Sequence, residues 1–309
     1  MTLDRRNLER FGWAVAAYNL FVILFGAWVR ITGSGAGCGD HWPTCKGEIV
    51  PLAPTMHTII EYTHRLTTGL ETLMIIGLAV AVHRFATHRK DEVALRWVLA
   101  AIAFLVVEAG VGALLVNARL VADDARPIRG VVVGLHLVNT LLLTAALALI
   151  PLSVRTPTPR NTDGAARWPI TLAGISFALI CATGAVTALG DTLFPLTDGS
   201  IADRLAQDAG PAVHIFRKLR IVHPITAVAV AGGLLALSAR VASSTAQPAR
   251  AWFARALGIG TLLQTALGFV NISLGAPGWM QIVHLAAAFV VWLALVGLWW
   301  HSPQTRAAV

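Results

Sequence analysis

Charge is scarce in this chain of 309 residues: Asp, Glu, Lys and Arg together supply 13%, against 56% hydrophobic residues, where an ordinary soluble domain carries roughly 25% charge. With a mean hydropathy of +0.68, that shortage excludes a water-soluble globule. At about 20 apolar residues per spanning helix, the length accommodates about eight spans with short loops and leaves no room for a separate soluble domain. A small-residue cleavage site is also missing after the first apolar run, so that run is expected to remain as a helix rather than to be removed as a signal peptide. Cysteine is nearly absent, with three residues and no CxxC pair, which argues against a thiolate zinc site.

The net charge of +8 would point to nucleic acid in a soluble protein. Here the basic residues flank apolar runs and read as a topology signal instead. Apolar runs fall at about 12–31, 59–82, 94–117, 130–152, 168–190, 219–240, 253–273 and 280–300. Of the 24 Lys and Arg residues, 14 lie at the N-terminus, in alternate loops and in the tail. Arg5, Arg6, Arg10, Arg84, Lys90, Arg160 and Arg306 are among them. The opposite side balances its basic residues with acids such as Asp40, Asp123, Asp198 and Asp203. Both termini are therefore expected in the cytoplasm of a multi-pass protein of the cell membrane.

The chain repeats itself. Glu108 and Gly112 in the third run answer to Gln264 and Gly268 in the seventh, His64 to His223, and His136 to His284. The expected fold is an all-α integral membrane protein of eight transmembrane helices arranged as two pseudo-symmetric four-helix bundles, residues 1–155 and 156–309.

Each even-numbered run carries one histidine and the odd runs none. Ionisable groups inside a membrane are costly and by default mark a functional site. Spacing to the inner boundary places all four imidazoles near the outer face. Four imidazoles paired within the repeats suit two irons, each held axially from two facing helices around a flat macrocycle. The competing reading is that each histidine only bonds a neighbouring helix. Arg65, Arg217, Lys218 and Arg220 lie beside this level, placed to pair with heme propionates or with lipid phosphate. The remaining histidines carry less: His83, His88 and His301 fall at the cytoplasmic boundary as solvated groups, and His41, His57 and His214 in outer loops.

Glu61 precedes His64 by three residues, on the same helix face, and is a candidate for proton transfer. An interfacial ion pair with Arg65 or Arg220 would explain it in structural terms. Glu108 is a second intramembrane carboxyl, for which a hydrogen bond between helices is an equal explanation. Cys38 and Cys45 enclose Gly39 and Pro43 in an outer loop, where disulfides persist. The pair reads either as a staple or as a redox couple. Cys181 reads as a small buried apolar residue.

These residues together resemble a known family. Arg30-Ile-Thr-Gly-Ser-Gly, Cys38 to Cys45 around Trp42-Pro43, Glu61-Tyr-Thr-His64-Arg65, His136, His223-Pro224 and Gln281-Ile-Val-His284 look like the bacterial heme A synthase family. The resemblance implies oxidation of the C8 methyl group of heme O to a formyl group by successive hydroxylations with water-derived oxygen, for aa3-type oxidases. It also implies a heme B cofactor at His223 and His284, substrate heme at His64 and His136, and functional parts for Glu61 and the Cys38/Cys45 pair. The partners to expect are the substrate heme, a heme O synthase as donor, an electron acceptor, the lipid bilayer and further copies of the chain, but not nucleic acid. One departure stands out: members with a second outer cysteine pair carry it in the later half, and 191–218 has none. A diheme cytochrome that only moves electrons would use the same histidines, and a thiol–disulfide exchange protein would use the cysteines alone.

Overall fold

A computed structural model of the chain describes residues 4–89, 92–155, 167–195 and 200–302. It has nine α-helices among the described residues: α1 Arg5–Ile31, α2 Met56–Arg89, α3 Glu92–Asn117, α4 Pro127–Arg155, α5 Trp168–Leu193, α6 Ile201–Asp208, α7 Ile215–Ser244, α8 Pro248–Ser273 and α9 Gly278–Trp300. All but α6 are long and apolar enough to cross a bilayer, and these eight coincide with the eight runs read from sequence. No strand occurs among the described residues, where the one β-bridge pairs Cys45 with Glu48. Lys90, Asp198, Arg160 and Arg306, used in the charge tally, lie outside the described residues.

The helices begin and end where backbone chemistry dictates. Pro127, Pro169 and Pro248 sit in the first turns of α4, α5 and α8, where a missing N–H is no loss. The chain leaves α1 through Gly33, whose φ of 64° suits a residue without Cβ. The short α6 is not visible as an apolar run because it is polar and only eight residues long. Its signal is local instead: Ser200 Oγ accepts from the Asp203 N–H while Asp203 takes up the Ser200 N–H, a capping box.

Helices α1 to α4 pack as α1 on α2, α2 on α3, α3 on α4 and α1 on α4. Helices α5, α7, α8 and α9 repeat that pattern in order. The two sets meet where α4 packs on α5 and α9 and where α1 packs on α9. Consequently α4 and α9 are the buried helices, whereas α2, α3, α7 and α8 present residues such as Leu73, Val106, Ile225 and Ile259 outward.

Lipid is as apolar as leucine, so helix association rests on close packing and polar contacts. Both occur between these helices. Gly12 of α1 lies against Pro151 of α4, where an added Cβ would stand 3.1 Å from the ring. The Trp292 Nε1–H donates to the Leu141 carbonyl (2.7 Å), tying α9 to α4, and Ser238 donates to the Ala254 carbonyl (2.7 Å), tying α7 to α8. Half-buried Arg30 of α1 reaches the other set directly, donating to the Ala188 carbonyl (2.6 Å), Thr192 (2.5 Å) and Gln281 (2.8 Å). At the opposite end His301, expected to be solvated, stacks on Phe253 with ring centroids 5.4 Å apart; burial and nearby Arg155 hold its pKa below the ordinary value.

Candidate active site

The loops that join α1 to α2, α3 to α4, α5 to α7 and α8 to α9 lie at one end of the bundle, and the four histidines lie just inside that end. His64 is eight residues from the start of α2, His136 nine from that of α4, His223 eight from that of α7 and His284 six from that of α9. One cavity of about 840 Å³ takes in all four, a size within the range of roughly 300–1,000 Å³ typical of ligand pockets. His64 lies close enough to His136, and His223 to His284, for a charge on one ring to be felt by the other.

Glycines bring the neighbouring helices against the rings. A Cβ at Gly184 would come within 2.9 Å of His223 Cε1. One at Gly26 would come within 3.2 Å of His64 Cε1, and one at Gly268 within 3.2 Å of His284 Cε1. At Gly112, which answers to Gly268 in the sequence repeat, nothing lies within 4 Å. Gly26 and Gly184 recur at nearly the same spacing as His64 and His223, a signal available in the sequence but not read from it.

Each ring of the second set makes one hydrogen bond and neither ring of the first does, although His284 Nδ1 is also buried without a partner among the described residues. His223 Nδ1 shares a hydrogen bond with Thr183 Oγ1 (3.1 Å), and the Gln264 amide donates to His284 Nε2 (3.2 Å). His136 Nδ1 stands 3.4 Å from Glu108 Oε1 without the geometry of a hydrogen bond, and the buried His64 Nδ1 has no partner among the described residues. Glu108 is held in turn by Asn139 (2.5 Å) and Thr140 (2.5 Å), which is the hydrogen bond between helices given as one reading of it, and it also faces a histidine.

Buried nitrogens without partners are costly in an apolar interior unless a ligand uses them. Imidazoles in electrostatic contact, glycine-lined slots and a largely apolar wall fit iron porphyrins. His64 with His136, and His223 with His284, are the residues that would hold them.

Glu61 links this site to the outer loop. Its Oε2 accepts the Cys38 backbone N–H (2.8 Å), and Oε1 pairs with Arg65. Cys38 and Cys45 are joined in a disulfide. Arg65 also donates to the carbonyls of His41 (2.7 Å) and Thr44 (2.7 Å), so it ties the loop to α2 as well as lining the cavity. Of the histidines expected in loops, His57 lies instead in the first turn of α2, where its Nδ1 bonds Ser34 Oγ (3.1 Å), and His214 caps α7 by accepting the Phe216 N–H (3.3 Å). Cys181 is partly buried and lies on the cavity wall.

In the second set, Arg220 lines the cavity and is locked to Asp191 (2.6 Å) and Asp208 (3.4 Å). Arg217 pairs with Asp208 (2.7 Å) and is not part of the cavity wall; Lys218 donates to the Pro211 carbonyl (3.2 Å). The sequence reading brought these cations to the right end of the bundle but missed Asp191 and Asp208, the acids that hold them. It also missed Asn19 and Glu71, a buried polar pair on the cavity wall.

These features define a multi-pass helical membrane protein whose histidines converge in a porphyrin-sized cavity near one surface. A family model described as "Cytochrome oxidase assembly protein" (COX15-CtaA) matches residues 9–296, and the chain belongs to that family. Two relatives from Thermus thermophilus strains, named protoheme IX farnesyltransferase, are each 40% identical over 295 residues. The match covers 94% of this chain but 48% of theirs, so the chain spans about half their length. A protein of Halalkalibacterium halodurans named heme A synthase is 29% identical over 222 residues, covering 69% of this chain and 71% of the relative.

Proposed function

We propose that the protein is a heme A synthase, an oxidoreductase acting on a C–H group of heme O. The C8 methyl group gains oxygen from water in two successive hydroxylations, giving a hydrated aldehyde that loses water to leave the formyl group. Four electrons and four protons depart in total. The observation that carries this reading is the setting of Glu61: one carboxylate lies a turn from His64, on the cavity wall, and accepts a bond from the disulfide loop.

In this reading 1–155 holds the substrate and 156–309 holds the cofactor. His64 and His136 orient heme O, and Arg65 stands ready for a propionate. Glu61 takes the proton from the attacking water, its charge balanced by Arg65. His223 and His284 hold heme B, with Arg220 at its outer edge. When bound, heme B supplies a one-electron acceptor close to the substrate. The disulfide shapes the loop that closes the substrate side or passes electrons on; the electron acceptor beyond it is a partner, as is a heme O synthase that delivers the substrate. The heme sites face the outer surface and both termini face the cytoplasm.

The names of the Thermus relatives are compatible with this reading. The farnesyltransferase name belongs to proteins twice as long, whereas the relative matched over most of its length is named heme A synthase. Farnesyl transfer to protoheme produces heme O, the substrate proposed here.

The test is to express the chain with a heme O synthase in cells that otherwise make no heme A, and to chromatograph the extracted hemes. Heme A should appear, and growth in H2-18O should label its formyl oxygen before exchange. Two bound hemes with heme O left unmodified would establish the electron-carrier reading instead.

A further inference from the structure

Glu71 is a carboxyl group set deep in a membrane-spanning helix, where an acid is costly and marks a functional site by default. It is 4% exposed and lines the cavity. Its Oε1 accepts from Asn19 Nδ2 (2.6 Å), and Asn19 Oδ1 accepts from Thr144 (2.7 Å). Asn19 is also on the cavity wall. The Asn19–Thr144 bond holds α1 to α4 and the Glu71–Asn19 bond holds α2 to α1, a tie that a neutral amide would also make, so the choice of an acid on the cavity wall asks for a further reason.

The other set of helices supplies a control. The spacing of 159 residues that relates His64 to His223 takes Glu71 to Val230. The spacing of 158 that relates Gly26 to Gly184 takes Asn19 to Phe177. Val230 and Phe177 line the same cavity. At equivalent places, then, the wall is amide and carboxyl beside His64 but phenyl and isopropyl beside His223. Thr140, facing Glu108, likewise answers to Ala288.

Glu71 is seven residues beyond His64, two turns along the same face and about 10 Å deeper. Both side chains lean toward the helix N-terminus alike, so the carboxyl stays two turns inward of the imidazole on the same face. A flat ligand held at His64 therefore presents its inner edge to Asn19 and Glu71. On the proposed function, the two ligands differ at one substituent: heme O carries a farnesyl chain attached through a secondary alcohol, where protoheme carries a vinyl group.

We propose that Asn19 and Glu71 recognise the tail hydroxyl of heme O, and that they distinguish the substrate site from the protoheme site lined by Phe177 and Val230. This rests on the heme A synthase reading. A site built to hydrogen-bond a hydroxyl rejects the analogue that lacks it, because its own polar groups are then left unpaired.

The test uses the full chain in lipid nanodiscs, with the heme of the second set in place as the internal check of folding. Heme O, its O-acetyl ester and protoheme are titrated into wild type, Glu71→Gln and Glu71→Leu. Wild type should bind heme O at least tenfold more tightly than the ester. Glu71→Leu should lose about tenfold in heme O affinity with less than twofold change for protoheme, and Glu71→Gln, which keeps a hydrogen-bonding group, should stay within about threefold of wild type. Equal binding of heme O and its ester by wild type overturns the proposal without any variant. Equal loss for heme O and protoheme in Glu71→Leu, or no loss for either, overturns it as well. A wild-type protein that binds no heme O at all contradicts the enzymatic reading itself, which separates that failure from this one.

Discussion

The two sets of helices carry the same histidines and opposite surroundings. Where α2 places Glu61 one turn before His64, α7 places Arg220 one turn before His223. Where Arg65 follows His64, Pro224 follows His223. Glu61 is paired with one cation and an N–H of the disulfide loop, and it borders the cavity; Arg220 is locked between Asp191 and Asp208. Over the first set lies a loop closed by Cys38–Cys45, and over the second a polar helix, α6, fastened through Asp208 to Arg217 and Arg220. At the level of Asn19 and Glu71 the first wall is polar, where Phe177 and Val230 make the second apolar. A site that must turn over substrate needs a proton acceptor and selective contacts. One that retains a cofactor needs a closed ring of charge and an apolar slot.

The strongest way to break this contrast is at Glu61. Glu61→Ala should lower heme A formation about 100-fold or more, as loss of a general base does, while heme O or its hydroxylated derivative accumulates on folded protein. Arg220→Ala should instead reduce the amount of cofactor retained, with little change in turnover per bound cofactor. Chromatography of extracted hemes alongside a heme count per chain reads both, and unchanged heme A in Glu61→Ala would remove that residue from the chemistry.

Glycine substitutions sharpen the contrast next. Gly184→Ala drives a methyl group against the His223 ring at 2.9 Å, and overpacking of this kind costs about 1–3 kcal/mol, so cofactor affinity should fall roughly tenfold or more. Gly112→Ala meets no protein atom within 4 Å and lines the cavity on the side of the first set, so it should leave the heme content of the second set at wild-type level. Equal effects of the two substitutions would mean that the glycines do not set the ring positions.

A smaller effect is expected from the loops. Cys38→Ser opens a loop of eight residues, which by loop entropy costs about 2 kcal/mol, and it loosens the backbone that bonds Glu61. Thermal unfolding should shift down, and the substrate set should melt before the cofactor set. Smallest of all is a pH effect at α6. Hydrogen bonds from Ser200 hold the exposed Asp203 carboxyl below its ordinary pKa. Its contribution is therefore complete above the unfolded value and is lost as pH falls through the folded one. Amide exchange in α6 should quicken below about pH 4, with no counterpart in the cysteine loop.

Much of this was legible in the sequence, because membrane solvation makes a strong pattern. Eight apolar runs gave eight spanning helices, and histidines at equal distances from the inner boundary gave one shared level, since helical rise is constant. The polar helix α6 escaped because it lacks an apolar face long enough to register, although Ser200 and Asp203 carried the capping pattern. Asn19 and Glu71 escaped for another reason: each is a single polar residue in an apolar run, and what singles them out is a cavity wall formed by four helices. The partners of Arg220 escaped likewise, since Asp191 and Asp208 come from segments that meet only in three dimensions.

The most direct measurement compares two purified variants, His64→Ala and His223→Ala, by the identity of the heme each one loses. The account predicts that His64→Ala keeps heme B and carries neither heme O nor heme A, whereas His223→Ala is depleted of heme B. Loss of the same pigment from both, or retention of every pigment by both, would contradict a division of labour between the two histidine pairs.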